Sequence, residues 1–291
     1  MDGKYSIRFE MRAGDCGSDD CPRGNFKGAY GRSEMYIPGE ENSLDPKYYH
    51  DHGEHWYAWS MYIPEETSHI RPAYTTLGQF KEHSKFYKKR DKKTKCDSAG
   101  MPLWFNLERE GLGLAKAKCI IKNDKPIFII THADEVIIIP NAELKNKWLD
   151  FLLHVNWSYE DDGFMHLWVN DKKVHVVKKG ITRDFPFKVK GKLPGVSFRF
   201  GIYNGKIDKY EKRLGKKRPT QVVYYDSIKR GTTCQDTALW HDCNNLPKDA
   251  QKKPDWSKCD KTEFAGAADF IPLFCYGSDG KIIPKSERIS N

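Results

Sequence analysis

The stretch FRFGIYNGKI, residues 198–207, holds the residue pattern with the most chemical content in the chain. It alternates as a strand does: Phe198, Phe200 and Ile202 take one face, and Arg199, Gly201 and Tyr203 the other. A core face has no use for the charge, and a plain solvent face has no need of the glycine. A cation, a gap and a phenol in a row suit a groove in which something long and anionic lies. A second strand-like stretch, GRSEMYIP, puts Arg32 and Glu34 on one face. The basic runs KEHSKFYKKRDKKTK and KIDKYEKRLGKKRPT read either as solvated loops or as the flanks of such a groove. The second follows Tyr203 directly, so Lys206 and Tyr210 are candidates for contact with a polyanion.

The elements that must position these residues are short strands. Aromatic residues make up 13% of the 291 residues, and short aromatic and β-branched runs are broken by 23 Gly and 15 Pro along with Asn and Asp. That pattern reads as antiparallel β. About a dozen strands at this spacing predict a jelly-roll sandwich of two antiparallel sheets with one concave face. The strand series runs through residues 1–231, and VNDKKV supplies turn chemistry for one hairpin. NAELKNKW reads as a helix or turn, residues 206–219 as a basic loop, and residues 232–291 as an extension held on the same domain by disulfides.

The net charge of +9 favours an anionic partner. No segment is long and apolar enough to span a bilayer, so a membrane partner is not expected. MDGKYSIRFEMR begins polar and shows no signal peptide. The eight cysteines fall in local groups: Cys16 and Cys21; Cys96 and Cys119; Cys234, Cys243, Cys259 and Cys275. None has the spacing of a zinc site. Disulfides are the reading preferred over free buried thiols, and they imply an oxidising compartment. The expectation is therefore an extracellular monomer, secreted or released on lysis. The four cysteines of the tail allow three connectivities, and the sequence does not choose among them.

With these residues in view, GRSEMY, LGQF, KWLDFLLHVNWSYEDDGFMHLWVND, FRFGIYNGK and VVYYDSIKRG occur in the order found in the heparin lyase I and glucuronan lyase group. The chain resembles these jelly-roll polysaccharide lyases, and the alginate lyases of the same architecture, over residues 5–231. The resemblance implies β-elimination at a uronic acid. A base removes the proton at C5 and an acid protonates the oxygen leaving C4. That proton is barely acidic beside a carboxylate, so donors must neutralise the carboxylate and stabilise the developing enolate.

Tyr203 matches the tyrosine of the family's Gly-x-Tyr motif and is the first choice for the proton shuttle. The plainer reading is a sheet-face aromatic packed on a loop. Gly201 clears space beside its ring in the functional reading, and Arg199 lowers its pKa or binds carboxylate. Heparin lyase I-like proteins often carry a lysine at that place, and a guanidinium does not exchange protons as an ammonium does. Gln79 matches the glutamine of a Gln-x-His strand, with carboxylate neutralisation as its implied job. Here the chain departs from the pattern: Lys81 stands in the histidine place and His83 follows two residues later. Either serves as base, or a histidine of the 50–55 loop does, where His50, His52 and His55 cluster.

Arg32 matches an arginine that grips carboxylate, with Glu34 orienting it; on residues alone the pair reads equally as a weak surface ion pair. Asn106, His55, Lys206 and Tyr210 complete the candidate substrate contacts. His154 and His166 read as ordinary sheet residues, and Trp148, Trp157 and Trp168 as core or rim. No cofactor is required by this chemistry, though Asp226 is a place for a structural calcium ion.

Three rivals share some of these features. A non-catalytic carbohydrate-binding jelly roll has no need of the Arg, Gln and Tyr set. A retaining glycosidase needs two carboxylates about 5 Å apart, and no acidic strand offers them. Nucleic-acid binding fits the charge but finds no motif.

Overall fold

The computed structural model describes residues 4–17, 30–36, 53–82, 102–116, 118–122, 125–129, 136–158, 162–177, 196–237 and 241–246. His50, His52, His83, Cys21, Cys96, Cys259 and Cys275 lie outside the described residues, as does the side chain of Cys119.

In chain order the strands are β1 (Ile7–Met11), β2 (Tyr30–Tyr36), β3 (Gly53–Tyr62), β4 (Tyr74–Glu82), β5 (Leu103–Leu107), β6 (Gly111–Lys116), β7 (Lys118–Lys122) and β8 (Lys125–Ile129). They continue with β9 (Val136–Pro140), β10 (Trp148–Trp157), β11 (Phe164–Val169), β12 (Lys172–Val177), β13 (Val196–Gly205) and β14 (Gln221–Gly231). Helices α1 (Ile207–Leu214) and α2 (Cys234–Thr237) complete the elements, with a 3-10 turn at Asn141–Glu143.

Two antiparallel six-stranded sheets form the sandwich, in the orders β1-β14-β3-β10-β11-β12 and β2-β13-β4-β5-β6-β9, and β7 and β8 pair apart as a hairpin. The jelly-roll expectation holds. Alternation drives it: in β10 Leu149, Phe151, Leu153, Val155 and Trp157 enter the core, while Asp150, His154 and Asn156 point out. The other sheet answers with Phe80, Leu103, Phe105, Phe198, Phe200 and Ile202. Trp59 joins the two layers, stacked on Phe151 at 4.9 Å and tilted against Phe198 at 4.8 Å. Each such ring buried contributes a few kcal/mol of apolar transfer, which makes this layer the main source of stability.

The turn between β11 and β12 carries Asn170 and Asp171, both at positive φ (47° and 62°). These are the residues a tight hairpin of this hand selects. Asn170 also accepts the Asp150 backbone N–H on its side-chain oxygen at 2.9 Å.

One element differs from expectation. The segment read as a basic loop holds α1, with Ile207 and Tyr210 buried and the cations outward. Lys206 enters it in the left-handed region (φ 59°), and Gly215 closes it at φ 63° with its N–H on the Glu211 carbonyl. Two apolar positions three apart are too few to stand out within a run of charges.

Beyond β14, Cys234 and Cys243 are disulfide-bonded. Cys234, Cys243 and Leu246 pack on Ala58, Leu152, Trp168 and Trp56 at the outer face of the first sheet. His241 pairs there with Asp171 at 2.7 Å.

Candidate active site

The outer face of the second sheet carries polar rows across four strands. One row runs Arg32, Tyr203, Thr76 and Asn106 through β2, β13, β4 and β5. A second runs Tyr36, Arg199, Gln79 and Trp104. Gly201 lies between the rows, opposite Glu34. Lys81 and Ser197 form the next pair along β4 and β13. The sheet thus brings together Arg32, Glu34, Gln79, Lys81, Asn106, Arg199 and Tyr203, residues drawn from four separate strands.

Glu34 is the link. Its side chain is 3% exposed, and it accepts Arg32 Nη1 at 2.7 Å and Gln79 Nε2 at 2.6 Å. Burial pushes its carboxyl pKa up, while Arg32, the Gln79 hydrogen bond, Arg199 and Lys81 pull it back. A carboxylate taken this far from water is kept only by donors on several sides, and two are in direct contact.

The bridge from Glu34 to Gln79 passes over β13 at Gly201, where no side chain intervenes. Gly201 sits at φ 126°, and a Cβ there would collide with the Ser33 carbonyl and press on Phe9. The glycine is required by this close approach of β2 and by its backbone conformation. It does not hold open a space beside Tyr203, as the sequence reading supposed.

Behind this point the ladder is irregular. The β13–β4 register shifts between Phe200 and Tyr203, and the β4–β5 register between Thr76 and Gly78. Tyr225 reaches across the core from the first sheet, donates its hydroxyl to the Leu77 carbonyl, and receives the Gly201 N–H. The backbone groups freed by the irregularity are thereby satisfied.

Tyr203 stands in an aromatic setting. Arg32 lies over its ring at 4.4 Å, Tyr30 is stacked on it at 6.2 Å, and Tyr74 meets it edge-on at 5.9 Å. Burial raises its phenol pKa far above the ordinary range, Tyr74 raises it further, and Arg32 opposes both. The phenol is therefore protonated at rest, with a cation placed to favour the phenolate when a proton is given up. Arg199 plays no such part: it lies over Tyr36, at 5.5 Å, on the other row. The cation beside Tyr203 comes from a different strand than the periodicity of β13 suggested.

Two further candidates fall elsewhere, and a third lies buried in the first row. His55 lies on β3 of the opposite sheet, opposite Val155, and turns inward with its ring 6.3 Å from Tyr57. It is a core-edge residue, because the β3 alternation that buries Tyr57 and Trp59 buries it too. Tyr210 is 6% exposed and packs on Ile70 and Ala73, so its ring anchors α1. Asn106 is buried at the end of the first row and accepts the Thr76 hydroxyl at 2.8 Å. Lys206 remains at the end of β13, on the turn into α1.

Sequence reasoning missed Tyr30, Tyr74 and Thr76. Counting by twos from Gln79 turns Leu77 and Thr75 outward. The irregularity reverses this: Leu77 is in the core, Thr75 bonds inward to Gln221 at 3.2 Å, and Tyr74 and Thr76 face the site. Only the glycine at 78 hinted at a break in the pattern.

Asp226 lies level with Ser60, and Ser60 level with Asp150, across three strands of the opposite sheet's outer face. Among the described residues no group of three or more His, Cys, Asp or Glu side chains stands ready to hold a metal ion, and no helix is long and apolar enough to cross a membrane.

The class of protein is set by a jelly-roll sandwich with rows of cationic, phenolic and amide side chains on one outer face. Residues 1–229 match the family model described as polysaccharide lyase, and the chain belongs to that family. A solved structure similar to it is an endo-β-1,4-glucuronan lyase from the fungus Trichoderma reesei, at 14% identity, TM-score 0.55, and coverage of 81% of this chain and 85% of that one. An alginate lyase from a Chlorella virus aligns at 15% identity, TM-score 0.46, and coverage of 79% and 86%. A search of curated protein sequences gives no match.

Proposed function

We propose that this protein cleaves a uronic-acid-containing anionic polysaccharide by β-elimination and leaves a 4,5-unsaturated uronate end. One observation carries the reading: a half-buried Tyr203 lies under the Arg32 guanidinium, and Arg32 is held by a Glu34 that Gln79 fixes from two strands away. A groove that only bound a polyanion would need cations, but not a phenol tuned by a pinned one.

In the proposed reaction the C5–H bond breaks and its proton passes to a base. The electron pair forms C4=C5 as the C4–O bond breaks. Tyr203 gives its proton to the departing oxygen, and Arg32 stabilises the phenolate left behind. Arg199, together with the second N–H of the Gln79 amide, neutralises the uronate carboxylate. Lys81 is the candidate base on this face, with His83 and the loop histidines as alternatives. A lysine must lose its proton to act so, which a guanidinium could not do.

The disulfides of Cys16 and of Cys234 with Cys243 support an extracellular setting for the proposed enzyme, which acts as a monomer without a cofactor. A structural calcium ion at Asp226 is proposed separately and would raise the melting temperature on addition of calcium after chelation.

The test is an ultraviolet assay for the conjugated product. The protein and its Tyr203→Phe variant are incubated with glucuronan, alginate, heparin and heparan sulfate. A rise on one polymer, abolished in the variant, is expected. Tight binding to one of them with no rise on any would overturn the lyase reading in favour of a carbohydrate-binding jelly roll.

A further inference from the structure

Tyr74 is a second phenol at the site with no role in the account above. It begins β4, opposite Gly205 at the end of β13. A Cβ at residue 205 would coincide with the Tyr74 ring and hydroxyl. Glycine there is what lets the ring lie across the end of β13, edge-on to Tyr203 at 5.9 Å. The ring is held by this approach and not by the core, since Tyr74 belongs to neither the main apolar cluster nor the small one at Tyr210. Its hydroxyl interacts with that of Tyr203, and the interaction eases ionisation of Tyr74 while opposing that of Tyr203. Both phenols are partly buried, so a negative charge on either is costly unless it is shared.

From this geometry we infer that Tyr74 is a positioning residue that acts through Tyr203: it aims the Tyr203 hydroxyl and relays a proton back to it. The inference rests on the lyase reading for its chemistry. Once Tyr203 has protonated the departing oxygen, the Tyr74 O–H bond breaks and a new Tyr203 O–H bond forms. The negative charge then sits on Tyr74 oxygen, which takes a proton from water and restores the pair, and the hydroxide left is neutralised by the C5 proton that the base returns to solvent. Gly205 is part of the device, because any side chain there would displace the Tyr74 ring.

The experiment uses Tyr74→Phe, which keeps the ring and removes only the hydroxyl. On the polymer that the parent cleaves, kcat is expected to fall at least tenfold with KM unchanged, and the solvent deuterium isotope effect on kcat to change. A merely packing role would move neither ratio. Parent-like kcat and isotope effect in Tyr74→Phe would overturn the relay. A parent inactive on every polymer tested would count against the lyase reading, and the pair is then tested without turnover. With ζ-carbon-labelled tyrosine, the Tyr203 resonance, assigned by its loss in Tyr203→Phe, is expected to shift in Tyr74→Phe. An unshifted resonance would overturn the contact itself.

Discussion

The outer faces of the two sheets make an instructive pair. On the second sheet the outward positions of β2, β13 and β4 hold Arg32, Glu34, Gln79 and Tyr203, polar groups hydrogen-bonded or stacked on one another. On the first sheet the outward positions of β3, β10 and β11 hold Ala58, Leu152 and Trp168 under the disulfide of Cys234 with Cys243. A histidine edge adjoins this patch, with His154 stacked on Trp56 at 3.8 Å and bonded to Glu54 at 2.6 Å. Burial is common to both faces, and what is buried differs. Apolar groups under a disulfide stabilise by leaving water. A buried carboxylate and guanidinium gain little net stability and are costly to disrupt, so their use is better sought in chemistry.

The contrast predicts separable losses. The largest is in rate: Tyr203→Phe should lower kcat by about 100- to 10,000-fold, with an unfolding midpoint close to that of the parent. Initial rates on the preferred polymer and a urea titration check the two halves. Glu34→Ala comes next, since it strands Arg32 and the Gln79 amide in a buried place. It should cost about 3–5 kcal/mol of stability, read by urea unfolding, and activity with it. On the other face, replacing Cys234 and Cys243 together by serine should cost about 2–3 kcal/mol, the loop-closure value for a bridge this short. Activity at 25 °C should survive. A large loss of kcat from that pair would erase the distinction between the faces.

The smallest effect is on pH dependence. Burial, aided by nearby cations, depresses His69 and His166 to about 4. Each is neutral in the fold but protonates near the ordinary value of about 6.5 when unfolded. Their contribution is therefore present above about pH 6.5 and is lost as pH falls toward 4. Partial exposure screens it to about 1 kcal/mol each. The melting temperature should fall over that window, and less so in a His166→Gln variant. An identical fall in the variant would assign the effect to other groups.

Much of the fold was legible because its cause is local. Period-two alternation in FRFGIY puts Phe198, Phe200 and Ile202 in the core as read, and the same repeat sets the core side chains of WLDFLLHVNW. The β11–β12 turn was legible for the same reason, since Asn and Asp tolerate positive φ. Helix α1 was hidden by its charges. The site was legible in part. Arg32, Glu34, Gln79 and Tyr203 stood out by residue type and family order, and all four meet. The ring over which Arg32 lies, the use of Gly201, and the presence of Tyr74 were not legible.

Those last features depend on pairing between strands that lie far apart in the chain. The sequence by itself determined the inward and outward sets of the regularly alternating strands, the basic balance, and the stock of phenols and cations, because these follow from residue type and a two-residue repeat. Only the tertiary structure decided which outward residues become neighbours. β2 was set beside β13 and β13 beside β4, and a register irregularity next to Tyr203 turned Tyr74 and Thr76 to the site side. Register is a property of two strands at once, and one extra residue reverses every side chain beyond it.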